Sequence, residues 1–242
     1  MIVQSCLMIG NKKLLAIIPA RKNSKRIKNK NLAKLNNKPL ISYTIEEALK
    51  NKYIDKIVVS TDDIAIRKLS SKNGLNVPKL RPSILSSDKS RTIDLVIYEI
   101  NELRKIGEKF DYLIILQPTS PFRTNKHINE SIRMLKNKKA KCIISVCKVE
   151  HPVEWTNKLS KSLSMNNFLK KSLHGKRSQD FQDSYRINGA IYIGLISEII
   201  KQKTIFLNNK AYAYKMKINE SIDIDEPIDL EFANFLSKKN YE

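Results

Sequence analysis

Short apolar segments alternate with amphipathic, helix-length segments along most of this chain. Residues 14–18 and 112–116 are apolar runs, and each is followed by polar residues. Runs without a polar position are typical of strands that are buried on both faces of a sheet. Residues 39–49 carry apolar side chains at positions 41, 45, 48 and 49, which is the spacing of one face of a helix. The pattern therefore indicates strands and helices in alternation.

This alternation predicts a single α/β domain over residues 1–242, with a mostly parallel sheet between two layers of helices. Parallel strands joined by helices imply right-handed crossovers. We predict that Asp62 caps the second helix at its N-terminus. The predicted strands are residues 14–18, 55–61, 77–80, 112–116, 142–149, 187–193 and 211–218, and the predicted helices are residues 39–49, 62–72, 92–106, 126–136, 196–201 and 228–238.

The periodicity lapses between residues 151 and 185, where the sequence is polar and contains Trp155, the single tryptophan. Loops longer than about 15 residues are more often functional than purely connecting. We therefore interpret residues 151–185 as a small inserted arm, used in subunit contact or as a lid over a site. A plain surface loop is the alternative interpretation.

A strongly cationic segment follows the first predicted strand. It holds Arg21, Lys22, Lys25, Arg26, Lys28 and Lys30. In open α/β sheets, ligands bind at the carboxyl ends of the strands, and a loop of Arg, Lys, Ser and Asn there suits a polyphosphate. Taken alone, the same charges also fit a solvated basic turn, since runs of charge are usually surface features.

Two aspartates near the other end of the chain change that balance. Asp223 and Asp225 alternate with isoleucines, so on an extended backbone both carboxylates point to one side. Paired carboxylates that face a cationic phosphate loop suit Mg²⁺, a cation that prefers oxygen ligands from protein and phosphate together. The alternative is a strand edge with two solvated aspartates. Together, the loop and the aspartates favour a site for a polyphosphate and Mg²⁺.

The composition gives a formal net charge of +21, which also allows a nucleic-acid-binding function. The basic residues are 35 Lys and 10 Arg, and the Lys residues are spread along the whole chain. Proteins that read nucleic acid specifically rely instead on placed Arg and stacked aromatic side chains. We therefore expect no nucleic-acid partner, and polyanion binding stays as the weaker hypothesis.

Cysteine, histidine and hydropathy patterns argue against further classes. Cys6, Cys142 and Cys147 form no CxxC pair, and the three histidines lack zinc-ligand spacing, so we expect neither a disulfide framework nor structural zinc. No apolar run approaches the roughly 20 residues of a membrane span. The opening residues also lack a secretory h-region. We expect a cytoplasmic protein without a membrane partner, carrying an N-terminal extension in which Met8 is an alternative start.

Six sequence blocks carry a resemblance to a known family. In chain order they are IIPARKNSKRIKNKN, VVSTDD, RPSILSSD, LQPTSPFRT, RINGAIYI and SIDIDEPIDL. The chain resembles the acylneuraminate cytidylyltransferases, also called CMP-sialic acid synthetases, from about residue 14 to about residue 236. The resemblance implies a Rossmann-like nucleotidyltransferase fold and a homodimer with a swapped arm. It also implies Mg²⁺-dependent transfer of CMP from CTP to a nine-carbon α-keto acid sugar, with release of pyrophosphate.

The resemblance also implies roles for individual residues. In-line attack of the anomeric hydroxyl of the sugar on the α-phosphate needs charge neutralisation more than covalent help from the protein. The implied catalytic residues are Arg21, Arg177 and Asp225, and the implied metal ligands are Asp223 and Asp225. The implied nucleotide-binding residues are Arg21, Ser24, Lys25, Lys30, Asn31, Arg81 and Ser90, and the implied sugar-binding residues are Gln117, Arg177 and Arg186.

The basic loop departs from the pattern of many relatives. It reads ARKNSKR, where many relatives have two glycines before the serine and a glycine after the lysine. Relatives that activate pseudaminic or legionaminic acid often have Arg at the position of Arg26, so the sequence leaves the sugar open among these acids and N-acetylneuraminic acid. The alternatives are a cytidylyltransferase for the eight-carbon keto sugar of lipopolysaccharide, which lacks the SIDID ending, and a basic nucleic-acid-binding protein.

Overall fold

The computed structural model describes residues 11–87 and 90–239. Cys6, Met8 and most of the predicted N-terminal extension lie outside the described residues. The strands are β1 (Leu14–Pro19), β2 (Lys34–Leu35), β3 (Lys38–Pro39), β4 (Lys56–Ser60), β5 (Tyr112–Ile115), β6 (Cys142–Lys148), β7 (Tyr185–Leu195) and β8 (Ala211–Met216). The helices are α1 (Leu40–Leu49), α2 (Ile64–Lys72), α3 (Thr92–Lys105), α4 (Asn125–Asn137), α5 (Ile196–Gln202) and α6 (Pro227–Lys239).

Six of these strands form one sheet in the order β4-β1-β5-β7-β6-β8. β1 pairs parallel with β4 and β5, and β6 pairs parallel with β8. β7 is the exception, because it pairs antiparallel with both β5 and β6. The N-terminal end of β7 therefore lies at the same edge as the carboxyl ends of its neighbours. The mostly parallel sheet that the alternation predicted is confirmed.

β1 is buried on both faces, as its apolar run predicts. Its residues Leu14, Ala16 and Ile18 pack with apolar side chains of α1, α2 and α4. Its residues Leu15 and Ile17 pack on the opposite face with side chains of α3 and α5. The two clusters make the three-layer arrangement, with helices on both faces of the sheet. No helix in the described part of the chain is long and apolar enough to cross a membrane.

A third apolar cluster joins the two ends of the chain. Leu35 in β2, Leu40 at the start of α1, Ile224 and Ala233 in α6 are all buried together. Ile224 lies between the two predicted metal ligands, and β2 follows directly after the basic loop. Since full burial of each Leu or Ile side chain contributes about 1.5–3 kcal/mol, this cluster holds the aspartate segment against the loop.

Two local predictions were wrong. Residues 77–80 were predicted as a strand, but the segment is irregular. Pro78 offers no backbone N–H to a neighbouring strand. Asp62 was predicted to cap α2, but the cap is Asp63, whose Oδ1 accepts a hydrogen bond from the backbone N–H of Ala65 at 2.7 Å. The short β2–β3 hairpin, two residues in each strand, was not predicted.

The segment between β6 and β7, which was interpreted as an inserted arm, contains three short 3₁₀ turns. They are Val153–Trp155, Lys171–Leu173 and Ser178–Asp180, and no strand occurs within this fully described segment. Trp155 packs edge-to-face on Phe181, with ring centroids 5.7 Å apart. The contact joins the first and last parts of the segment near its base.

Candidate active site

The basic loop is fastened to the carboxyl ends of β1 and β4 by hydrogen bonds. Ala20 N–H donates to the carbonyl of Ser60 at 2.9 Å, and Lys22 N–H donates to Oδ1 of Asp62 at 2.8 Å. At the far end of the loop, the buried side chain of Asn31 donates from Nδ2 to the carbonyl of Arg21 at 2.8 Å. These contacts fold the loop back, so that its two ends lie side by side.

A cavity of about 380 Å³ opens where the loop, the carboxyl ends of the strands and the aspartate segment meet. Eight of the site residues named from the sequence line it, from four separate parts of the chain. They are Arg21, Lys30, Asn31, Arg81, Ser90, Gln117, Asp223 and Asp225. Pro19, Leu85, Ser87, Arg91, Thr92, Leu95, Pro118 and Thr119 complete the lining.

Four further residues named from the sequence lie away from the lining of this cavity. Ser24 and Lys25 belong to the basic loop, Ser24 half-buried and Lys25 exposed. Arg177 lies exposed on the segment between β6 and β7, and its guanidinium pairs with Asp180 at 3.7 Å. Arg186 is exposed in β7, but its charge partly offsets the rise in the pKa of Asp223. Arg186 therefore lies near enough to Asp223 to affect the pKa of its carboxyl.

Asp225 receives two cations from the basic loop. Lys30 Nζ lies 2.7 Å from its Oδ1, and Arg26 Nη1 lies 2.8 Å from its Oδ2. Arg26 also pairs through Nε with Glu226 at 3.0 Å. The hydrogen bond from Lys30, followed by the charges of Lys30 and Arg26, lowers the pKa of Asp225, which outweighs the opposing effect of burial. The Asp225 carboxyl is therefore ionised at neutral pH.

Asp223 has a different environment. Burial raises the pKa of its carboxyl and the charge of Asp225 adds to this, while a hydrogen bond from Thr119 opposes it. Its Oδ1 atom is buried and has no hydrogen-bond partner among the residues that the structure describes. A buried carboxylate oxygen without a donor is the kind of group that a hard cation satisfies.

The two aspartates can supply only part of a metal site. Within the described part of the chain, no three His, Cys, Asp or Glu side chains are grouped so that they could hold a metal ion. Mg²⁺ usually keeps one or two carboxylates together with water and substrate phosphates. The pair therefore fits a cation that arrives with a phosphate ligand, and does not fit a permanently bound structural metal.

The opposite wall of the cavity is built by Arg81 and the serine-rich loop. Arg81 N–H donates to the carbonyl of Thr61 at 2.7 Å, which fixes the backbone. Its Nε and Nη2 are buried and without hydrogen-bond partners among the described residues, although Nη2 lies 3.6 Å from Asp62. Burial lowers the pKa of Arg81, but the guanidinium is still charged at neutral pH. Ser90 Oγ donates to the carbonyl of Ile84 at 2.7 Å.

Gln117 and Gly189 lie in close contact beside Asp223. Gly189 has φ +76°, and a Cβ placed on it would lie 2.9 Å from Oε1 of Gln117 and 3.7 Å from Oδ2 of Asp223. The pairing between β6 and β7 is interrupted between the pairs Ile144–Tyr192 and Val146–Ile187, which leaves the glycine out of the regular ladder. The buried Asn188 braces this interruption, accepting from Ser145 Oγ at 2.6 Å and donating to Ser221 Oγ at 2.8 Å.

Several of these contributors were not predicted from the sequence. Thr119 and Gly189 stand inside the QPTSP and NGA blocks, so their place in those blocks was the available signal. The role of Arg26 as a partner of Asp225 depends on two positions 199 residues apart, which no local pattern reveals.

Solved structures of two enzymes share this fold. One is CMP:2-keto-3-deoxy-manno-octonic acid synthetase complexed with CTP, with a TM-score of 0.68 and 15% identity, covering 94% of this chain and 99% of that one. The other is 4-diphosphocytidyl-2C-methyl-D-erythritol synthase from Anaerococcus prevotii, with a TM-score of 0.64 and 16% identity, over 94% of this chain and 99% of that one. The similarity defines the Rossmann-like nucleotidyltransferase fold, as predicted.

Sequence comparison is more specific. The family model described as cytidylyltransferase matches residues 15–241. A CMP-N,N'-diacetyllegionaminic acid synthase from Legionella pneumophila is 35% identical over 95% of this chain and 98% of its own length. A pseudaminic acid cytidylyltransferase from Campylobacter jejuni is 32% identical over 95% of this chain and 98% of its own length. An N-acylneuraminate cytidylyltransferase from Escherichia coli is 32% identical over 94% of this chain and 52% of its own length.

These matches extend over nearly the whole described chain, with its sheet and its cavity. The chain belongs to the cytidylyltransferase family, and it is a nucleotidyltransferase.

The contact between Gly189 and Gln117 gives a testable prediction. Gly189→Ala should inactivate the enzyme, because the new Cβ would displace the Gln117 side chain and crowd Asp223. Gly107→Ala is the matched control, since Gly107 has φ +79° and a methyl group there would meet nothing within 4 Å. Both variants should lose about 1–2 kcal/mol of unfolding free energy from the left-handed backbone. Steady-state kinetics and urea denaturation measure the two effects, and equal activity in both variants would contradict the contact's importance.

Proposed function

We propose that this enzyme transfers CMP from CTP to a nonulosonic acid, a nine-carbon α-keto acid sugar, and releases pyrophosphate. The observation that carries the proposal is the cavity in which the cations of the basic loop face Asp223 and Asp225. The activities for which the relatives from Legionella, Campylobacter and Escherichia coli are named support the same reaction class.

In the proposed arrangement, the triphosphate of CTP lies along the basic loop. Arg21 and Lys30 contact it from the cavity wall, and Ser24 and Lys25 contact it from the loop. The cations stabilise the charge that accumulates on the departing pyrophosphate, and no covalent intermediate with the protein is needed. When the triphosphate binds, Lys30 and Arg26 give up part of their ion pairing with Asp225 and contact phosphate oxygens instead.

Asp223 and Asp225 are the proposed ligands of Mg²⁺. When bound there, the ion would neutralise phosphate charge and favour the ionised form of the attacking hydroxyl. The protein's own part is to hold the two carboxylates at different depths. Asp225 is kept ionised by Lys30, and Asp223 presents a buried oxygen that lacks a donor among the described residues.

Arg81 and Ser90 are the proposed contacts of the cytosine base. Cytosine offers a carbonyl oxygen and a ring nitrogen as acceptors, and Arg81 has two buried donor atoms without partners among the described residues. A uracil ring presents N–H at the ring position where cytosine accepts. Donors from Arg81 therefore favour cytosine over uracil.

Gln117 and Arg186 are the proposed contacts of the sugar. Gln117 offers an amide to the sugar hydroxyls, and Arg186 lies near enough to affect the pKa of Asp223 and suits the sugar's carboxylate. The sugar itself stays open among N-acetylneuraminic, legionaminic and pseudaminic acids, because the relatives that name these acids are similar to this chain at 32–35% identity.

We also propose a homodimer in which residues 151–185 form an arm that reaches the partner. Arg177, a proposed catalytic residue, is exposed and lies away from the cavity of its own chain, as an arm that completes the partner's site would require. The arm exposes Leu159, Leu163 and Met165. A groove of about 720 Å³ beside its base is lined by apolar side chains that include Tyr185, Ile218, Ile222, Phe232 and Leu236.

The experiment that tests the proposed function is a substrate panel. The four nucleoside triphosphates are each combined with N-acetylneuraminic, legionaminic and pseudaminic acids and with the eight-carbon keto sugar, and pyrophosphate release is measured. CTP with one of the nine-carbon acids should be strongly preferred. A preference for UTP or GTP would overturn the cytidylyl assignment, and a preference for the eight-carbon sugar would favour the alternative. Since CTP is a cytoplasmic nucleotide, we propose that the enzyme acts in the cytoplasm.

The metal assignment predicts the behaviour of Asp225→Asn. Turnover with CTP and Mg²⁺ should fall by about 10²- to 10³-fold, as for removal of one electrostatic partner in an active site. Binding of Mn²⁺ in the presence of CTP, measured by electron paramagnetic resonance, should weaken in parallel. Glu226→Gln is the matched control, because Glu226 also pairs with Arg26 but does not line the cavity. Near wild-type turnover of Asp225→Asn would show that the assignment is wrong.

The dimer proposal predicts a mass of two chains in light scattering, each chain being 27.9 kDa. Phe232→Glu should weaken the dimer, because it places a charge in the apolar groove. Ile64→Glu changes another exposed apolar residue, at the start of α2 and outside the groove, and should leave the mass unchanged. A single-chain mass for the wild-type protein at micromolar concentration would contradict the proposal.

A further inference from the structure

A fully buried arginine lies behind the cavity wall that Gln117 forms. Arg123 is 1% exposed and is the largest of the fully buried side chains among the residues that the structure describes. It stands between the QPTSP block and α4, and it is not among the residues that line the cavity. Its role is therefore not direct contact with a ligand.

The guanidinium of Arg123 joins three elements of the fold. Nη1 donates to the backbone carbonyl of Gln117 at 3.0 Å and to that of Ala190 at 3.3 Å. Nη2 donates to Oγ1 of Thr44 at 2.7 Å. Thr44 belongs to α1, Gln117 follows β5, and Ala190 lies in β7 next to Gly189. One side chain thus fixes the backbone on both sides of the Gln117–Gly189 contact.

Burial of such a cation needs a reason. Desolvation lowers the pKa of Arg123 to about 10, with the charge of Glu47 opposing the shift, so the guanidinium stays charged at neutral pH. Its Nε atom has no hydrogen-bond partner within the described part of the chain. Apolar residues of similar volume are often as stabilising as buried charges, so stability alone does not account for an arginine here. The hydrogen bonds that it donates to the backbone carbonyls of Gln117 and Ala190 supply that reason.

We propose that Arg123 is a positioning residue for the acceptor sugar, which fixes the Gln117 side chain over Gly189 by binding the backbone carbonyls of Gln117 and Ala190. The inference rests on the proposed role of Gln117 in sugar binding. The fit at this contact is tight, because even a methyl group on Gly189 would meet Gln117 Oε1 at 2.9 Å. Small displacements of groups that bind substrate have large kinetic effects.

The CTP side of the cavity is held by other contacts. Arg81 is fixed through Thr61, Ser90 through Ile84, and Lys30 through Asp225. None of these hydrogen bonds involves Arg123. A defect at Arg123 should therefore appear in the kinetics of the sugar and leave those of CTP nearly unchanged, whereas general loosening of the fold would affect both substrates.

The first variant is Arg123→Lys. A lysine ammonium is a compact donor that lacks the planar fork, so it cannot bridge the three acceptors as arginine does. The KM for the sugar should rise by up to roughly tenfold, the effect of losing one neutral hydrogen bond between Gln117 and the sugar, and the KM for CTP should change less than about twofold. Arg133→Lys, an exposed arginine on α4, controls for the substitution itself. Ile132→Val, buried on the same helix, controls for a mild loss of stability.

A double-mutant cycle tests whether Arg123 acts through Gln117. In the Gln117→Ala background, Arg123→Lys should change the KM for the sugar less than about twofold, because the side chain that it positions is absent. Full additivity of the two changes would overturn the inference, and so would equal increases in the KM for sugar and CTP. The inference would also be wrong if Ile132→Val reproduced the effect.

Thr44 provides a second route if Arg123→Lys does not fold. Thr44→Val removes the oxygen that accepts from Arg123 and that itself donates to the Gln117 carbonyl at 3.4 Å, so it should raise the KM for the sugar in the same selective way. Thr44→Ser keeps the hydroxyl and should behave as wild type. Identical kinetics of Thr44→Val and wild type would overturn the inference.

The same data separate this inference from the proposed function. If Gln117→Ala raises the KM for the sugar while Arg123→Lys and Thr44→Val do not, the inference alone is wrong. If Gln117→Ala has no effect, the assigned role of Gln117 is wrong and the inference fails with it. An enzyme that releases no pyrophosphate with any sugar would contradict both.

Discussion

Six basic side chains between residues 21 and 30 repel one another, and two of them, Arg21 and Lys30, must nevertheless be held at the wall of one cavity. The ion pairs with Asp225 are half-exposed on the aspartate side, and exposed pairs of this kind contribute only about 0–1 kcal/mol each. The buried cluster of Leu35, Leu40 and Ile224 contributes more, because full burial of each such side chain is worth about 1.5–3 kcal/mol. Apolar packing therefore positions the basic loop and the aspartate segment, and the charged side chains that they carry can bind a ligand.

The dominance of apolar packing over ion pairs explains which parts of the fold could be predicted from the sequence. β1 and β5 are apolar at nearly every position because both faces are covered by helices, and such runs are readable without a structure. The antiparallel direction of β7 could not be predicted from its composition, because a strand in the middle of the sheet is equally apolar in either direction. The β2–β3 hairpin is too short to show any period. Residues 77–80 resembled a strand in composition, but Pro78 cannot donate to a ladder.

The candidate site was predictable where polar residues follow strands or stand in blocks. Arg21, Lys30, Gln117 and Asp225 all belong to such segments, and the fold brings them to one cavity. Arg123 stands inside the LQPTSPFRT block, which was the available signal, but no local pattern shows that its side chain is buried and binds backbone carbonyls. Arg177 shows the opposite case. Its position was named from the sequence, but it is exposed on the segment between β6 and β7, and the catalytic role that we propose for it requires the proposed dimer.

We propose that the basic loop and the two aspartates together bind CTP with a divalent cation. A crystal structure with CTP and Mn²⁺, in which anomalous scattering locates the metal, tests this directly. We expect a Mn²⁺ peak coordinated by Asp223, Asp225 and phosphate oxygens, with the triphosphate along Arg21 and Lys30. A Mn²⁺ peak away from both aspartates, or a triphosphate that does not contact the loop, would contradict it.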